Sequence, residues 1–216
     1  MRSGRLLPLL AATGALLLAA PAAASAGCPG SELEADQLPA PQIETTVLCL
    51  VNERRAQAGL DAVAPEARLR RAAERHSLDM VGQGFFAHTS PAGDSFIDRI
   101  SATGYMRGTR SWLVGENLVW GTGSFGTPQS MVAAWMNSPP HRENLLRPRF
   151  RDVGIAAVSG TPVEAGDPRG ITVSSEYGYR EAGRKAGKSR KAKRAARAKR
   201  ARAKRAEQAR RARHRR

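Results

Sequence analysis

The chain has no lysine before residue 181, no uninterrupted apolar run of membrane-spanning length, no G-x-S-x-G segment and no internal repeat. Each absence narrows the reading. All lysines fall in Glu181 to Arg216, so body and tail differ in composition as separate units do. The longest apolar stretch, Leu6 to Ala20, is broken by Pro8, Thr13 and Gly14 and falls short of the ~20 residues a span needs. Without G-x-S-x-G, the strand-turn-helix nucleophile of the α/β-hydrolases has no counterpart.

Arg2 and Arg5, the apolar stretch and Ala24-Ser25-Ala26 together read as a secretory signal peptide over 1–26. The mature chain then begins near Gly27, carries no transmembrane segment, and is secreted or associated with the cell envelope. Cysteine is scarce, and export gives the scarcity a meaning. Cys28 and Cys49 are the only two, and an even pair in an oxidising compartment forms one disulfide, the alternative being two free thiols. Closing such a loop is worth about 3 kcal/mol in the chain-entropy model.

Charge is divided abruptly. Residues 181–216 hold 18 of the 35 Lys+Arg and 2 of the 19 Asp+Glu, which leaves 17 of each elsewhere, so the net +16 sits entirely in the tail. The segment 27–44, with Pro29, Pro39 and Pro41, reads as an extended N-terminal arm ahead of one domain over 45–180. That length suffices for a single core.

Within the domain, Thr45 or Thr46 is expected to open a helix whose apolar face is Val47, Leu48, Leu50 and Val51. A second helix is expected from Pro65 to Val81, with Leu69, Ala73, His76 and Met80 on its apolar side. A third follows Asp94 or Ser95 and stops at Gly104. The fourth has Thr127 as N-cap and Pro128 at its first position, carries Met131, Val132, Trp135 and Met136, and ends at Pro139-Pro140. Strand signals cover Glu116 to Trp120, Val153 to Val158 and Ile171 to Tyr177. Helices flanking a small, mostly antiparallel sheet make an α+β layered domain.

Three segments carry chemistry: FFAHTSPAG (Phe85 to Gly93), GENL (Gly115 to Leu118) and WMNSPPHRENLL (Trp135 to Leu146). They place His88, Glu116 and His141 in turn-rich sequence beside the expected helices and strands. A carboxylate such as Glu116, opening an apolar run, has to be hydrogen-bonded or paired. Taken alone, either histidine is equally explained as a loop brace.

The ordered succession of HSLDM, FFAHTSPAG, RISATGY, GENL, W-x-x-SPPHR-x-NLL and VGIA resembles the CAP superfamily of cysteine-rich secretory proteins, antigen 5 and pathogenesis-related proteins. The likeness is to short bacterial members and covers roughly Thr46 to Tyr179. It implies a three-layer α-β-α sandwich with a central cavity where His88, Glu116 and His141 converge. It also implies a divalent metal such as Zn²⁺ on His88 and His141, with Glu116 orienting a ring and open positions for water. One departure stands out: where many members have a second glutamate, three residues after the tryptophan of the fourth helix, this chain has Ser138. Glu143 lies nearby in sequence without being bound to face the same way.

Other polar residues have plainer readings. Asp94 and Ser95 cap a helix; His76 belongs to the apolar face of the second helix; Trp135 is a core anchor; Asn117, Asn137 and Asn144 satisfy backbone groups. Trp112 and Trp120, which bracket GENL, are candidates for a groove. Ser90 and Ser138 neighbour the histidines, but nothing in sequence supplies an orienting acid or oxyanion hole for them.

Residues from Gly183 onward are almost all Ala, Lys and Arg, too polar to bury a core and hence expected to be disordered. In an exported protein, such a segment suits an anionic envelope polymer, acidic lipid or extracellular DNA, engaged through Arg184 to Arg216. The expected function is a binding module for a small or lipidic ligand in the histidine cleft. The alternative is an extracellular hydrolase acting on peptide or cell-wall material through the same His/Glu set.

Overall fold

Val153, Ile155, Ala157, Ile171, Val173 and Tyr177 alternate along two neighbouring strands with small or polar residues, so one face of their sheet is strongly apolar and the other is not. In the computed structural model, which describes residues 27–163, 167–183 and 195–201, these strands are the centre of a four-stranded sheet. The strands are β1 (Ala64–Pro65), β2 (Thr109–Gly121), β3 (Asp152–Ser159) and β4 (Ile171–Ala182). Their order is β1-β3-β4-β2, with β4 antiparallel to both β3 and β2 and the short β1 parallel to β3.

The apolar face is covered by α1 (Ala40–Gln57), α4 (Pro128–Asn137) and α5 (Pro139–Leu145). Ile43, Val47, Leu50, Val51, Met131, Trp135 and Leu145 join the strand residues in the main core. The opposite face presents Gly154, Ser174, Glu176 and Gly178 to α2 (Ala67–Gln83) and α3 (Phe96–Ala102). Small residues let α2 lie very close: a Cβ on Gly154 would run into the backbone of Leu69 and Arg70. The expected α+β, three-layer α-β-α arrangement is therefore present, with the helices divided between the two faces.

Several boundaries differ from the sequence reading. α1 starts at Ala40, with Pro39 in N-cap position and Pro41 in the first turn, so the extended arm ends earlier than residue 44. Proline is tolerated there because those N–H groups have no intrahelical acceptor. Pro139-Pro140 ends α4 and also opens α5, placing His141 on a helix. β2 and β4 run further than the β-branched segments, and Gly183 N–H still bonds Gly108 O at 3.0 Å, so the domain closes beyond residue 180.

The disulfide joins Cys28 to Cys49 and ties the arm to α1. Residues 1–26, read as a signal peptide, and most of the tail lie outside the described residues. Of the tail, 195–201 is helical and exposed. No helix among the described residues is long and apolar enough to cross a membrane.

Candidate functional site

α2 ends at Gly84, whose φ of 68° is the left-handed conformation that stops a helix. The chain then passes through Phe85 and Phe86 to His88 and folds into a turn. Ser90 N–H bonds Asp94 O at 3.0 Å, and Ser90 Oγ accepts from Asp94 N–H at 3.1 Å. Ser95 caps α3 by accepting from Asp98 N–H. These local bonds aim Arg99, in the middle of α3, back at the loop. Its Nη1 donates to Asp94 O at 2.9 Å, and its Nη2 donates to His88 O at 3.1 Å and Glu116 Oε2 at 2.6 Å.

Glu116 is buried in β2, the outer strand of the sheet. His88 donates from Nδ1 to Glu116 Oε1 at 2.7 Å. Burial alone would drive this carboxyl toward its neutral form. The hydrogen bond from His88 and the Arg99 guanidinium oppose it, and Glu116 is held below the usual carboxylate range.

His141 approaches from the other side of β2. Asn117 Nδ2 donates to His141 O at 2.9 Å, and Asn144 Nδ2 donates to Glu116 O at 3.2 Å and Asn117 Oδ1 at 3.1 Å. Trp135 Nε1 covers the next outward carbonyl, Leu118 O, at 3.0 Å. Side chains of α4 and α5 thus cap the sheet edge where the site lies. Asn144 comes so close that a Cβ on Gly115 would sit 2.8 Å from its Oδ1, which accounts for the glycine of GENL. The His141 and His88 ring centroids are 6.4 Å apart. Burial, then the neighbouring His88, lower the basicity of His141 below that of an ordinary histidine.

The structure therefore brings His88, Glu116 and His141 to one place. Ser138 sits at the junction of α4 and α5, and among the described residues its hydroxyl bonds neither imidazole. Glu143 pairs with Arg147 at 2.6 Å, well exposed. His76 is fully buried and donates from Nε2 to Ala87 O at 2.9 Å, beside Phe85. Trp112 and Trp120 are both exposed.

Two site residues escaped the sequence reading. Arg99 belongs to the short third helix, for which no cation was singled out. Glu176 is fully buried in β4 and is the register partner of Glu116. A carboxylate inside the otherwise strand-like run Ile171 to Tyr177 was the available signal. Glu176 thus puts a second, fully buried acid beside Glu116, on a different element from Ser138.

As a three-ligand metal centre the trio does not fit. Both Glu116 oxygens are spent, on His88 and on a guanidinium that already supplies the positive charge. Among the described residues, the one group of three donors within 4.8 Å of one another is Cys28, Cys49 and Glu53, whose two sulfurs form the disulfide. What remains is a two-nitrogen donor set, His88 Nε2 and the His141 ring, fewer than the three protein ligands of a catalytic zinc.

Residues 48–173 match the cysteine-rich secretory protein family, CAP. The chain belongs to the CAP family. The CAP domain is 35% identical over 115 residues to the uncharacterized protein YkwD of Bacillus subtilis (strain 168), a match spanning 53% of this chain and 42% of that one. Among solved structures it is similar to an outer surface protein of Borrelia burgdorferi (TM-score 0.56, 19% identity, 67% of this chain and 97% of that one). It is also similar to an SCP-domain extracellular protein of Bacillus anthracis (TM-score 0.51, 23% identity, 64% of this chain and 40% of that one). At these identities the two structures establish the fold alone. The chain spans less than half the length of YkwD and of the Bacillus anthracis protein.

Proposed function

We propose that this chain is an extracellular CAP-domain binding module whose cleft, between His88 and His141, takes a small or lipidic ligand. The observation that supports the reading is the held imidazole: Glu116 holds the exposed His88 through Nδ1, its Nε2 is unbonded among the described residues, and its ring lies 6.4 Å from that of His141. A ring fixed in one tautomer recognises a hydrogen-bond donor without reorganisation. A divalent cation such as Zn²⁺, if it accompanies the ligand, would have only His88 and His141 as protein donors.

A separate apolar groove lies on the β1–β3 side of the sheet and includes neither His88 nor His141. It has a volume of ≈ 450 Å³, is lined by Leu48, Pro65, Val153 and Ile155, and carries the Arg70–Glu44 ion pair on its wall. The basic tail would retain the module on an anionic envelope polymer, acidic lipid or extracellular DNA.

The test is a native mass spectrum of the protein from its secreting host, with His88→Ala and His141→Ala alongside, and a Zn²⁺ titration of each. A bound mass or saturable Zn²⁺ uptake lost in both variants supports the cleft. Bound mass unchanged by either substitution places the ligand elsewhere and overturns the assignment. Turnover of a peptide or cell-wall polymer that disappears in both variants would make the cleft that of a hydrolase.

A further inference from the structure

Glu116 and Glu176 are cross-strand partners on the face of the sheet covered by α2, and both are buried, at 3% and 0% exposure. Two ionised carboxylates side by side in such a place repel each other strongly. The charged and titratable groups around the pair are Arg99 from α3, His76 from α2 and His88 from the preceding loop. β3, on the far side of Glu176, offers only its register partner Gly154. Arg99 is the one permanent cation, and it is committed to Glu116 Oε2, while His88 occupies Oε1.

Among the described residues, no N–H or hydroxyl donates to either oxygen of Glu176. An ionised Glu176 would be a buried charge without a hydrogen bond, which is the costly case. A neutral Glu176 has one proton to give, and the acceptor beside it is Glu116. Burial, followed by the negative charge of Glu116, pushes the Glu176 carboxyl well above the usual carboxylate range, in the same direction as the geometry.

We propose that Glu176 carries its proton at neutral pH and donates it to Glu116, so that a hydrogen-bonded acid pair, not a lone carboxylate, positions His88 in the cleft. Three donors then converge on Glu116: His88 Nδ1, Arg99 Nη2 and the Glu176 hydroxyl. With its other bonding directions filled, Glu116 cannot rotate away from His88, and the ring keeps Nδ1–H inward and Nε2 outward. Glu176 is a positioning residue in this arrangement and touches no ligand. The proposal concerns the same cleft as the binding reading, but the hydrogen bond is measurable without any ligand.

The experiment uses full-length protein with ¹³C-labelled glutamate carboxyls and ¹⁵N-labelled histidine, and Glu176→Gln assigns the resonance. The expected result at pH 7 is a Glu176 carboxyl carbon with the shift of a neutral acid and a Glu116 carbon with that of a carboxylate. Glu176→Gln should keep the wild-type His88 tautomer, because its amide still donates to Glu116. Glu176→Met keeps the volume and removes the donor, so His88 should move to a mixture of tautomers. A Glu176 that titrates in the ordinary carboxylate range, or a folded Glu176→Met protein with an unchanged His88 tautomer, overturns the proposal. A bound mass unchanged by His88→Ala and His141→Ala, with the Glu176 signal still neutral, would count against the binding reading alone.

Discussion

At the scale of single residues, the cleft depends on how one buried carboxylate is compensated. Arg99 is nearly buried, with 8% of its side chain exposed, and it ties Glu116 to the backbone of the His88 loop. Removing one partner of a buried ion pair leaves the other charge uncompensated. Arg99→Met should therefore destabilise the protein by about 3 kcal/mol and free the His88 loop. Urea unfolding measures the first effect, and hydrogen exchange at 86–95 measures the second; a loss below about 0.5 kcal/mol would show the pair to be dispensable. This contact was not legible in the sequence. Asp94-Ser95 announces a helix start because capping is local, but whether that helix's one arginine turns inward depends on where β2 packs. Glu176 was hidden for the same reason, since its partner is set by sheet register.

Histidine burial gives the residue scale a second consequence. His76 is held below its ordinary value of 6.5 by burial, only partly opposed by the negative charge of Glu116, and His141 is shifted the same way. As pH falls through 6.5, the unfolded chain takes up protons that the folded chain refuses. Stability from these groups is therefore complete above that value and declines below it. Glu116, held below 4.5 in the fold, adds a further loss at more acid pH. Glu176, whose proton the fold retains, acts in the opposite sense above 4.5, so the test compares two proteins. As pH falls from about 6.5 to about 5, the urea midpoint of His76→Gln, provided that variant folds, should fall less or rise more than that of the wild type. Identical pH profiles in the two proteins would contradict the burial argument.

At the scale of elements, Thr127-Pro128 and Pro139-Pro140 show what local sequence can and cannot say. The first pair opens α4 where expected, with Thr127 Oγ1 accepting from Ser130 N–H at 3.1 Å. The second pair reads equally well as a stop or a start, because proline cannot continue a helix yet suits its first turn. Only the packing of α5 on the edge of β2 decides for both, and that decision carries His141 into the site. The Cys28–Cys49 bridge was legible from cysteine number and inferred export, and it holds the arm against α1, where Cys28 and Leu38 enter the core. Cys28→Ser with Cys49→Ser should lower stability by about 3 kcal/mol, mostly through a less restricted unfolded chain. Chemical denaturation of both proteins checks this, and a loss near zero would mean the arm's packing is sufficient without the bridge.

Across the whole molecule, a nearly neutral domain is joined to a tail that holds all of its net charge. Removing 184–216 takes away 18 Lys+Arg and one Glu, leaving 17 basic and 18 acidic residues, a net charge of −1 against +16 for the full chain. The cut leaves Gly183 and its bond to Gly108 in place. The truncated protein should keep its melting temperature and any mass bound by the full chain. It should lose adhesion to anionic polymers, because counterion release comes from the dense Lys/Arg alone. For the full chain, if about six tail cations engage phosphates, affinity should drop roughly a thousandfold between 50 and 200 mM salt. Phosphodiester polymer beads, acidic vesicles and DNA, compared at equal charge, would distinguish the partners. The tail's 195–201 segment is helical without an apolar face, so it has nothing to insert into a bilayer core. Vesicle binding should therefore be the most easily reversed by salt. A truncated protein that stays on the envelope as the full chain does would remove the tail from retention and return that role to the CAP domain.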